Sequence, residues 1–122
     1  MAMDLGYLME RSDEIWENSI LPSLSEFIEI KALSPLFEPD WADLGELDAT
    51  IKLFCEWLDE QEINGMSYET HRIGDPSPVL LVTIEGTGPG EVIFYSHLDK
   101  QPSKPELWSE GLHPLRAVRR DP

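Results

Sequence analysis

His97 and Asp99 stand two residues apart, directly after the apolar run Val92-Ile93-Phe94-Tyr95. A neutral imidazole binds zinc through one ring nitrogen. A carboxylate that accepts a hydrogen bond from the other nitrogen fixes the tautomer and the direction of the ring. The apolar run reads as a buried strand, and open α/β sheets place their ligands at the carboxyl ends of strands. The position therefore suits a metal ligand, His97, with an orienting partner, Asp99. Spacing alone also describes a surface histidine beside an aspartate, so the context of the pair carries the argument.

The other reactive side chains lack that context. His71 falls near the end of a predicted exposed strand and His113 beside Pro114 in an irregular tail. Neither is expected to bind metal. Arg116, Arg119 and Arg120 could contact a substrate carboxylate, but read better as a solvated edge or as contacts with further chain. Cys55, the single cysteine, lies on the apolar face of a predicted helix with no basic neighbour to lower its pKa, as a buried structural thiol would. Ser96 beside His97 lacks the Gly-x-Ser-x-Gly turn that exposes a nucleophile. The glycines between Gly86 and Gly90 precede no helix, so they read as a hairpin connection between strands rather than a phosphate loop.

The elements that must position His97 follow from periodicity. Ile15, Trp16, Ile20, Leu24, Phe27 and Ile28 recur at helical intervals, predicting a helix over about 14–31 that Pro22 must kink or restart near Leu21. Asp40 offers an N-cap to a second helix over about 41–62, marked by Leu44, Leu47, Ile51, Phe54, Cys55 and Leu58. Asn64-Gly65 supplies a turn after it. Strands are predicted over about 66–72, 79–85 and 91–95, separated by turns at Gly74-Asp75-Pro76 and Gly86–Gly90. The last two are near-continuous apolar runs, as for strands covered on both faces, and the helices could cover one face. An irregular tail over 100–122 follows. The fold class is α/β in the order α-α-β-β-β, in one modest domain.

Composition narrows the partners. The chain of 122 residues carries 24 acidic and 9 basic side chains, a formal net charge of −15 concentrated before Lys100. Such a surface repels phosphate backbones, which argues against nucleic acid. No apolar stretch approaches the ~18 to 20 residues of a membrane span, so no membrane partner is expected. The lone cysteine and the absence of a basic, then apolar, leader at Met1-Ala2-Met3-Asp4 point to the cytoplasm.

The string from Val92 through His97-Leu98-Asp99-Lys100-Gln101-Pro102, followed by Trp108 and Gly111-Leu112-His113-Pro114-Leu115, resembles the metallopeptidase M20 family. Leu33-Ser34-Pro35 to Trp41 and the helix after it are similar to that family's N-terminal region, so the likeness spans about 21–120. The resemblance implies a zinc-dependent hydrolase of peptide or amide bonds, acting on dipeptides or N-acyl amino acids. It implies that His97 ligates one of two zinc ions and that Asp99 hydrogen-bonds this ligand. Ser96 stands where the family usually has Gly, and Lys100 where Val is commoner. The family's Gly-Arg-Gly segment, metal-bridging Asp, Glu-Glu pair and lid or dimerisation domain are expected beyond Pro122. The 122-residue chain is therefore expected to bind zinc weakly and to be inactive alone. A non-catalytic acidic interaction module that keeps part of the fold is the alternative.

Overall fold

The structure, a computed structural model, describes residues 4–72 and 77–120, so the predicted turn at Gly74-Asp75-Pro76 lies outside the described residues. A long helical arm opens the chain: α1 spans Leu5–Ile15, a π-helical turn spans Trp16–Ile20, and α2 spans Leu21–Glu29. Asp4 caps α1, its carboxylate accepting from the amides of Gly6 and Tyr7 at 2.9 and 3.3 Å. The arm begins well before the predicted residue 14. Pro22 sits in the first turn of α2, as a restart near Leu21 requires. Proline has no N–H and its ring crowds the carbonyl four residues back. The widened turn just before it, where the Leu21 amide reaches the carbonyl of Trp16, gives that ring room.

The second predicted helix divides into α3, Trp41–Leu44, and α4, Glu46–Asp59. Gly45 separates them at φ 67°, a left-handed conformation that glycine adopts without a Cβ clash. Asp40 makes no side-chain cap, contrary to its predicted role, because its carboxylate bonds no amide of α3. The break at Gly45 supplies the geometric start of α4 instead. The core lies where α4 meets α2 and the loop after it: Ala32, Leu33, Leu47, Ile51 and Leu58 are buried. Thr50 is wholly buried and donates its hydroxyl to the Glu46 carbonyl at 3.0 Å. Phe27 meets Phe54 edge to face, ring centres 5.4 Å apart, and Trp57 donates its indole N–H to Ser19 Oγ at 3.0 Å.

Strands β1, Met66–Arg72, and β2, Pro78–Ile84, form an antiparallel pair with Met66 opposite Ile84 and Arg72 opposite Pro78. Even-numbered residues share one face. From that face Tyr68 donates to Asp59 of α4 at 2.6 Å and Arg72 pairs with Asp48 of α4. The opposite face is open, with Val79 and Leu81 43% and 54% exposed, so β2 is not covered on both faces as its apolar run suggests. The molecule is mixed α/β, and its two-stranded sheet replaces the predicted three.

The predicted strand over 91–95 is the main correction. Val92, Ile93, Phe94 and Tyr95 pair with no other strand among the described residues, and their exposures run from 80 to 92%. Consequently the glycines from Gly86 to Gly90 do not join two paired strands. β-propensity here expresses a surface suited to a partner strand, and without one the segment gains no ladder.

Candidate functional site

After that exposed segment the chain returns to the body at Leu98, and Lys100 forms an isolated parallel bridge with Leu33. The Lys100 amide donates to the Ala32 carbonyl at 2.8 Å, and the Ser34 amide to the Lys100 carbonyl at 2.9 Å. The Lys100 ammonium donates to the carbonyls of Phe27, at 2.5 Å, Ile28, at 3.3 Å, and Ile30, and sits 4.2 Å above the centre of the Phe27 ring. These carbonyls close α2 and have no further helical amide to accept from, so the cation caps them and meets the negative end of the helix dipole. Burial lowers the pKa of Lys100, with the Glu46 carboxylate opposing the shift.

This anchor holds the short segment that ends in Asp99. His97 Nδ1 lies 3.0 Å from Asp99 Oδ1 and 3.0 Å from the Asp99 carbonyl oxygen. Both oxygens are acceptors, so Nδ1 is the donating nitrogen of this contact, and in a neutral ring the lone pair would fall to Nε2. The side chain of His97 is 69% exposed and that of Asp99 32%. A carboxylate that fixes one ring nitrogen of an imidazole in this way is the arrangement found behind metal-binding histidines, and it is equally the arrangement of a surface His–Asp pair.

The remaining candidates are dispersed. His71 Nε2 is 2.9 Å from Glu69 Oε2 on β1. His113 Nδ1 accepts from the Leu115 amide at 3.1 Å in a tight turn of the tail. Arg116 reaches the Gly111 carbonyl, and Arg119 pairs with Glu17 at 2.6 Å, tying the tail to the helical arm. Cys55 is half-buried, and burial first, then Asp59 and Glu56, raises its pKa, as for an unreactive thiol.

Zinc sites take three or four protein ligands, about 2.0 to 2.3 Å from the metal. Among the described residues no three His, Cys, Asp or Glu side chains come together in a way that could hold a metal ion. The described residues thus bring one imidazole, that of His97, beside one carboxylate, that of Asp99, and not the three or four ligands of a complete zinc site. No helix of the described residues is long and apolar enough to cross a membrane.

The residue that sequence reasoning missed is Lys100. Its partners lie 70 to 73 positions earlier in the chain, and no local signal in the sequence marks the contact. The sequence matches neither any known protein-family model nor any curated protein.

Proposed function

We propose that the chain carries one corner of the metal site of an M20-like zinc-dependent hydrolase of peptide or amide bonds. In this reading His97 is the ligand, Asp99 orients it, and the remaining ligands come from outside the described residues. The observation that supports it is the 3.0 Å contact between His97 Nδ1 and Asp99 Oδ1, which leaves Nε2 for a metal. Bound zinc would supply Lewis-acid chemistry to a scissile carbonyl. The part belonging to this chain is to hold the imidazole in one tautomer, with Nδ1 turned toward Asp99. Substrates of this reading are dipeptides or N-acyl amino acids, and the 122 residues alone are inactive.

Zinc calorimetry on the intact chain tests it. Weak binding, with a dissociation constant on the order of 0.1 to 1 mM, should be lost in His97→Ala and weakened in Asp99→Ala by roughly tenfold, as for other orienting partners of metal ligands. Binding that survives His97→Ala would remove His97 from the role. Hydrolysis of a dipeptide by the purified chain with zinc would contradict the inactivity.

The interaction-module reading is favoured by a separate observation: Val92–Tyr95 offers a continuous apolar segment to solvent. This reading needs no metal.

A further inference from the structure

We propose that the exposed segment 91–97 is a self-pairing strand through which two copies of this chain join, antiparallel, across a two-fold axis at Phe94. This does not rest on the metal-site reading. Among the described residues no backbone–backbone hydrogen bond engages positions 86 to 98. The segment therefore presents free amides and carbonyls together with four consecutive side chains that are 80 to 92% exposed. An unpaired row of this kind is a template for another strand.

The occupant follows from the pairing itself. When antiparallel strands are related by a two-fold axis normal to the sheet, the residue on the axis faces its own copy, because side chains alternate between faces. With Phe94 on the axis, Phe94 meets Phe94, Ile93 meets Tyr95, Val92 meets Ser96 and Glu91 meets His97. Aromatic pairs and aromatic with β-branched pairs are among the favourable cross-strand contacts, and no like charges face each other. With Ile93 on the axis, Glu91 would lie against Tyr95 and His97 against Pro89, so no charged or aromatic pair would form at either place. The segment is complementary to itself in one register, and that register defines the dimer.

Edge-to-edge pairing covers the flanks of side chains more than their faces, so the buried area is roughly 600 to 800 Å² in total, at the weak end of specific interfaces. A net charge of −15 on each copy opposes encounter further. The dimer is accordingly a weak, concentration-dependent one. The two His97 side chains lie six strand positions apart, roughly 20 Å, so pairing does not bring them to a common metal.

Sedimentation equilibrium of the full 122-residue chain tests the proposal. A monomer–dimer equilibrium with a dissociation constant on the order of 10 to 100 μM is expected for so small an interface. Phe94→Lys, which sets two ammonium groups opposite each other, should leave only monomer. Phe94 is 92% exposed, so the variant's far-UV circular dichroism should match the parent. Register is read by oxidation in a Cys55→Ser background. Phe94→Cys should form a disulfide dimer, whereas Val92→Cys, about 14 Å from its own copy in this register, should stay reduced. A monomer up to about 1 mM, well above the weak range, or a dimer that persists in Phe94→Lys, overturns the proposal. So does an open-ended series of species, the mark of a strand adding to the free edge of β2 head to tail, or equal oxidation of the two cysteine variants.

Discussion

At the scale of single residues, the polar contacts divide by how far the sequence could announce them. The His97–Asp99 contact joins neighbours two apart and is legible from spacing and chemistry. Tyr68 and Asp59 are nine positions apart, on β1 and α4, and nothing in either segment singles them out before the sheet is laid on the helix. The hydrogen bond that Tyr68 donates raises its pKa to about 12. A phenol whose folded pKa exceeds its unfolded value stabilises the fold fully below about pH 10, the unfolded value, and loses that contribution as pH rises through 12. Urea unfolding at stepped pH should therefore show the parent more stable than Tyr68→Phe at pH 9, with the difference shrinking between pH 10 and 12. A difference that is constant across this window would show that the Asp59 contact contributes nothing in solution.

At the scale of elements, helices were the most legible because their apolar residues already define a face. The restart at Pro22 was readable for the same reason, since a missing N–H acts locally. The start at Leu5 was not read: Leu5, Leu8 and Ile15 stand at helical spacing, but polar Ser12 interrupts the row and α1 buries none of them. The third strand failed for a different cause: Val92–Tyr95 has strand character, but a strand exists only when another supplies its ladder. What does hold the following residues in place is Lys100, which no periodicity marks. Lys100→Met keeps an apolar stem over Phe27 and removes the cap from three carbonyls. We expect a loss of about 1 to 3 kcal/mol, the range for leaving partly buried polar groups unsatisfied and losing a charged donor. The Ser34 amide, which donates to the Lys100 carbonyl, should exchange with deuterium faster in the variant. Unchanged exchange would mean that the bridge between Leu33 and Lys100 stands without the cation.

At the scale of the whole molecule, a small core works against a large excess of negative charge. Among the described residues five apolar side chains are buried, while Leu36, Ile84, Leu107 and the Val92–Tyr95 segment remain exposed. Burial therefore gives a modest surplus over chain entropy. The ion pairs Arg11–Glu14, Lys52–Glu56, Arg72–Asp48 and Arg119–Glu17 are all substantially solvated, so each contributes little. Repulsion among the remaining carboxylates acts over longer distances and opposes the compact state. Salt shortens the reach of both, from about 30 Å at 0.01 M to about 3 Å at 1 M, but the repulsive set is the larger here. The midpoint of urea unfolding should thus rise with sodium chloride from 0.01 to 0.5 M. Measured at about 1 μM protein, far below the concentrations at which weak interfaces of the proposed size associate, the rise reports the monomer. A midpoint that falls with salt would mean that the four attractive pairs outweigh the net charge, and that the acidic surface is arranged to stabilise this fold rather than merely tolerated by it.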